Sequence, residues 1–203
     1  MKRIPARVLF LPLLAGMWLS VSSPAATLNN NSLEAMDIRI HFQTRILGLF
    51  KTRGSFTEYT HDFRLNPCDW SDSSLDISIR THSLNLDMAG WEKRMKGEDF
   101  FNVDHYPIIR YQSSHIEPLE ENLIRIHGTL TVLGITRPVQ LNLTLIESNQ
   151  SPHDQQIVTE FHASTKLKRS DFGMTYAIPF VSDGVKVTLK AKAYSPEKNS
   201  STH

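Results

Sequence analysis

The chain has 203 residues, 40% of them hydrophobic, which is enough for one ordinary domain with its own core. Its 22 basic and 21 acidic residues leave a formal charge of +1 with no basic patch or stripe, which argues against a nucleic-acid partner. A single cysteine, Cys68, excludes an internal disulfide.

The first 25 residues read as a segment apart. Lys2, Arg3 and Arg7 form a positive start, Val8 to Leu19 a short apolar run, and Ser23-Pro24-Ala25 a small-residue cleavage site, as in a secretory signal cut after Ala25 or Ala26. The run is short of the roughly 20 apolar residues that span a bilayer. Met17 stands where a lipid-carrying cysteine would follow Leu14-Ala15-Gly16. The expected product is exported to the periplasm, with no membrane span. Removing Lys2, Arg3 and Arg7, the three charged residues of this segment, turns the formal charge from +1 to −2. Residues 26–35 read as a polar, flexible lead-in, and 195–203 as a polar tail.

From Met36 the chain alternates. Ile38, Ile40 and Phe42 share one parity against Asp37, Arg39, His41 and Gln43. Period-two alternation marks strands with one dry face. Glycines in Gly48-Leu49-Phe50 and Gly54-Ser55-Phe56 allow bending, and Tyr59, His61, Phe63 and Leu65 continue to a break at Asn66-Pro67. Cys68 falls in that turn and is assigned no role. Leu75, Ile77 and Ile79 form the next dry face. Residues 86–98 change period: Met88, Trp91 and Met95 recur at helical spacing opposite Glu92, Lys93, Arg94 and Lys96, predicting one short amphipathic helix that covers the sheet as a lid or plug.

Ile109 and Tyr111 resume the strand pattern. The clearest stretch follows, with Ile124, Ile126, Leu130 and Val132 dry in its first half and Val139, Leu141, Leu143 and Leu145 in its second. Gly134 and Arg137-Pro138 between the halves carry turn chemistry. Phe161 and Ala163, then Val185, Val187, Leu189 and Ala191, complete the pattern. Eight strands result, near 36–45, 48–65, 73–83, 106–116, 121–133, 137–147, 156–168 and 183–194. Alternation alone fits a sandwich or a barrel; the short connections favour an antiparallel barrel with the helix between its third and fourth strands. Such a barrel can be filled by side chains or hold one small ligand.

No catalytic frame is visible. There is no Gly-x-Ser-x-Gly elbow, and Ser170-Asp171-Phe172-Gly173 reads as a turn in which Asp171 bonds backbone amides and Phe172 caps the barrel. The histidines, His41, His61, His82, His105, His115, His127, His153 and His162 among them, are scattered without metal-ligand spacing, so no metal and no enzymatic activity are expected.

Three strings occur together in order: Asp99-Phe100-Phe101-Asn102-Val103 leading into Tyr106-Pro107, Gly128-Thr129-Leu130-Thr131 followed by Gly134-Ile135-Thr136-Arg137-Pro138-Val139, and Lys168-Arg169-Ser170-Asp171-Phe172-Gly173-Met174. With the leader, they make residues 36–194 resemble the YceI-like family of exported, lipocalin-like polyisoprenoid-binding proteins. The chain departs from the family pattern at Leu86, where a threonine is usual, in the pairs Trp91-Glu92 and Arg94-Met95 of the helix, and in the spacing of His41. The resemblance implies an all-β, eight-stranded antiparallel barrel whose apolar tunnel takes an amphipathic isoprenoid, polyprenyl or quinone-like. It implies no other cofactor, and a homodimer stays open. The inward residues Ile40, Phe42, Ile77, Ile79, Phe100, Phe101, Ile109, Tyr111, Ile126, Leu130, Leu141, Leu143, Phe161 and Val187 would be its wall. The alternative is an envelope stress or interaction protein with a solid-packed barrel that acts through its outer surface.

Overall fold

The computed structural model describes residues 35–64, 70–88, 90–150 and 157–195. The leader, most of the lead-in, Cys68 with its turn, His153 and the tail beyond Ser195 lie outside the described residues. Ten strands form one antiparallel sheet: β1 (Ala35–Ile46), β2 (Phe50–Phe56), β3 (Tyr59–Arg64), β4 (Ser74–Arg80), β5 (Leu84–Leu86), β6 (Ile108–Glu120), β7 (Leu123–Val132), β8 (Ile135–Gln150), β9 (Ile157–Lys168) and β10 (Gly184–Ser195). Their order is β3-β4-β6-β7-β8-β9-β10-β1-β2-β5.

The eight expected strands become ten because two of them bend. Residues 50–64 break at Thr57-Glu58, and residues 74–86 break at a 3-10 turn over Thr81–Ser83. There Thr81 turns inward, its hydroxyl donating to Tyr106 O at 2.9 Å and its amide to Pro107 O at 2.9 Å. The two bent segments stay partnered throughout, Phe63 opposite Leu75 and Phe56 opposite Leu84, while the Arg80 amide bonds Glu58 O across the bend at 3.0 Å. Each segment also serves a second neighbour: β2 pairs with β1, and β4 with β6. The ten-strand order therefore begins and ends in halves of the same two segments. The sheet curls round until eight staves surround one apolar core, which leaves few free ladder edges.

The core follows the alternation. Ile38, Ile40 and Phe42, then Ile77 and Ile79, Ile124 and Ile126, and Val139 to Leu145 at every second residue are buried. Three local expectations are corrected. The β7–β8 turn consists of Leu133-Gly134 alone, both at positive φ (51° and 72°), and Pro138 lies within β8 opposite Thr129. Proline is tolerated there because β8 pairs with β9 only from Asn142 onward, so its missing N–H faces no partner strand. The helix expected over 86–98 is a single turn, α1 (Glu92–Lys96); Leu86 belongs to β5 and Trp91 is 41% exposed. Strand β5 claims the beginning of that segment by pairing with β2, and Gly97 ends the helix in extended backbone. In the turn before β10, Asp171 is exposed, and Asp183 accepts instead from the Ser170 amide at 2.9 Å and hydroxyl at 2.8 Å.

Candidate ligand site

One cavity of about 170 Å³ opens within the curled sheet, toward the end that carries the β1–β2 and β7–β8 turns and the 169–183 segment. Nearly every stave gives it a wall residue. Of the expected residues, Ile40 and Phe42 come from β1, Ile77 and Ile79 from β4, Ile109 and Tyr111 from β6, Leu130 from β7, Leu141 from β8 and Val187 from β10. Phe100 and Phe101 enter from the connection after α1, and Met95 is the one member of the predicted helical stripe that reaches the wall. The lid is thus the 95–103 segment more than the helix. Phe100 is 1% exposed, and Phe101 stands edge-on to Phe42 and Phe56 at 5.9 and 5.5 Å between centroids.

Ile126, Leu143 and Phe161 are buried in the same core but do not border the cavity. Tyr111 lines the cavity beside Ile126, to whose carbonyl it bonds. Its ring lies over Gly128, where an added Cβ would sit 2.7 Å from the ring and 2.4 Å from Gln112 O. Its hydroxyl donates toward Ile126 O and Val139 O at 3.2 and 3.3 Å. The ring thereby fills the space left by Gly128, next to its ladder partner Leu130. Burial pushes the phenol well above its ordinary pKa, so it stays protonated.

The residue that sequence reasoning missed is Arg169. It is buried at the cavity wall, where its guanidinium donates to four backbone carbonyls: Ser182 at 3.2 Å, Met174 and Val181 at 2.9 Å, and Tyr176 at 2.8 Å. Burial lowers its pKa and the nearby Asp183 opposes that; an arginine nevertheless remains charged. A lone arginine in a sequence reads as surface, and only the convergence of these carbonyls makes its burial tolerable. For Asp183 burial works upward, but the Ser170 donors and the Arg169 charge outweigh it and hold the carboxyl below its usual range. Thr44, also at the wall, gives its hydroxyl to Ser182 O and Gly184 O, both at 3.2 Å. The polar groups of Tyr111, Arg169 and Thr44 are all engaged with backbone, so the wall they share offers a ligand apolar contact rather than free donors.

The histidines are less scattered than their spacing implies. A bulge between Ser113 and His115 brings His115 opposite His127, with ring centroids 5.9 Å apart on the outer face. His127 Nε2 lies 3.0 Å from Glu117 and its Nδ1 3.2 Å from Gln140. The hydrogen bond from His127 leads in holding Glu117 below its ordinary pKa. Among the described residues no group of three or more His, Cys, Asp or Glu is arranged to hold a metal, and no helix is long and apolar enough to cross a membrane.

Comparison with known proteins agrees with this architecture. A model of the YceI-like domain matches residues 32–193. Among curated relatives, Protein YceI of Salmonella arizonae is 24% identical over 179 residues, covering 88% of this chain and 93% of its own. A UPF0312 protein of Serratia proteamaculans is 27% identical over 176 residues, 87% of this chain and 91% of its own. Among solved structures, Burkholderia cenocepacia BcnA superposes with a TM-score of 0.68 at 21% identity, over 81% of this chain and 99% of that one. A polyisoprenoid binding domain from Saccharophagus degradans, implicated in plant cell wall breakdown, does so with a TM-score of 0.54 at 13% identity, over 78% of this chain and 94% of that one. At such identities these structures are like this chain in fold alone.

Proposed function

The chain belongs to the YceI-like domain family, and from that premise we propose that it is a non-enzymatic carrier or sequestering protein for an amphipathic isoprenoid lipid. The observation that carries this reading is the cavity wall: apolar side chains from nearly every stave, with Tyr111, Arg169 and Thr44 already bonded to backbone. Burying hydrocarbon yields about 25 cal/mol per Å², so such a site needs no polar code to hold an isoprenoid chain. The polyisoprenoid-binding description of the Saccharophagus neighbour supports the same ligand class. The leader-like first 25 residues extend the proposal to export and a periplasmic place of work.

The cavity at rest is small. An apolar void of roughly 150 Å³ accommodates a benzene ring, so about 170 Å³ takes little more than the first isoprene units. A longer chain needs more room, which Met95 and Phe101, half-buried at the lid, give by swinging aside. An open cavity in an otherwise packed core also favours binding over a barrel that acts only through its outside.

Protein purified without detergent should carry, in native mass spectrometry, an adduct whose mass steps by isoprene units. Empty protein recovered repeatedly, which also fails to take up an added prenol or quinone, would defeat the reading.

A further inference from the structure

The ladder between β8 and β9 stops short. Asn142 pairs with Ser164, yet β8 extends back to Ile135 and β9 on to Lys168 with no pairing between those halves. On the outer face this seam opens into a cleft. The cleft and the internal cavity share wall residues, among them Val139, Thr165, Leu167 and Phe172. Phe172, 4% exposed, stands in the seam as a stopper between the two spaces.

The cleft is cationic. Arg137 lies on the inward parity of β8, in line with Val139 and Leu141, yet is exposed because the seam beside it is open. Lys166 and Lys186 are exposed and directly opposite one another in the β9–β10 register. Like charges placed so repel and cost stability. Among the described residues no ion pair engages Arg137, Lys166 or Lys186, and Asp171 is the single carboxylate lining the cleft. Arg137, Lys166 and Lys186, with Lys168 adding charge at the same cleft, surround a gap that leads to hydrocarbon-lined space and form a site in want of an anion with an apolar tail.

We propose that the β8–β9 seam is a lateral portal and head-group site, where Arg137, Lys166 and Lys186 hold the phosphate or pyrophosphate of a prenyl lipid whose chain passes Phe172 into the cavity. This rests on the cavity being a lipid site and adds the class of head group and the route of entry. The three cations supply charge-assisted hydrogen bonds to phosphate oxygens that an uncharged head group cannot draw upon.

Isothermal titration of the purified protein with geranylgeranyl phosphate, geranylgeraniol and inorganic phosphate tests the proposal. The prenyl phosphate should bind about tenfold more tightly than the alcohol, by a margin that shrinks as salt rises. Lys166→Gln with Lys186→Gln should cut that margin to about threefold or less, leave the affinity for the alcohol within about twofold, and raise the unfolding temperature as the repulsion is relieved. Equal wild-type affinities for the two lipids, or a margin that the double substitution leaves unchanged, would overturn the portal while sparing the cavity reading. Inorganic phosphate binding as tightly as the prenyl phosphate would overturn it in favour of a free-anion site. If neither lipid binds, the portal and the cavity reading fall together.

Discussion

Gly128 shows how one residue shapes the cavity. It lies at an inward position of β7 between Ile126 and Leu130, where the alternation calls for a large apolar side chain. Its missing side chain is the space that the Tyr111 ring fills. Because an added methyl would meet backbone at Gln112 O as well as the ring, the strand pair itself must shift. Gly128→Ala should therefore cost about 1–3 kcal/mol, as overpacking does, read as a lower urea midpoint. An unchanged midpoint would mean that the ring and the Gln112 backbone can move away freely. The glycine was legible in the sequence as part of a family-like string, but its partner was not, since Tyr111 and Gly128 are 17 positions apart.

The 169–183 segment raises the same point for an element. Sequence reasoning identified its turn and gave Phe172 a capping role, but it assigned the turn's carboxylate to Asp171, whereas Asp183 bonds Ser170 from the far end of the segment. Arg169 ties the segment together through four carbonyls spread over Met174 to Ser182. Lysine keeps the charge but cannot present the guanidinium's fixed fork of donors. Arg169→Lys should leave carbonyls unmet at about 1–3 kcal/mol each. The loss should appear first as faster amide exchange in 174–182, with the β6–β7 ladder protected as before. Uniformly faster exchange over the whole sheet would show that the arginine supports the barrel rather than the loop.

Across the whole molecule, acid is the informative stress. Glu117, Glu160 and Asp183 all titrate below their ordinary values in the folded chain. A hydrogen bond is the leading cause for Glu117, from His127, and for Glu160, from Lys192; at Asp183 the Ser170 donors overcome burial. A carboxylate with a depressed folded pKa binds protons less readily than in the unfolded chain. Its stabilisation is therefore complete above the ordinary value, 4.5 for Glu and 3.8 for Asp, and is lost as pH falls through the folded value. The urea midpoint should hold from pH 7 to about 5 and begin to fall below about 4.5. Asp183→Asn should flatten part of that fall, and a variant that falls as steeply as the wild type would remove Asp183 from the account.

What the sequence determined by itself was the arrangement of dry and wet faces. Period-two alternation is a local property, set by the geometry of extended backbone, so the staves, their inward parity and the family resemblance could all be read along the chain. Ile40, Phe42, Ile77, Leu130 and Leu141 were placed inward on that ground, and they line the cavity. Ile126, Leu143 and Phe161 carry the same local signal but do not line it, because depth along a barrel depends on which residues other strands bring alongside. Only the tertiary structure could decide where two staves bend, where the β8–β9 ladder ends, and that a charged Arg169 is buried. Each of these depends on contacts between residues far apart in the chain, for which a single sequence holds no period and no spacing.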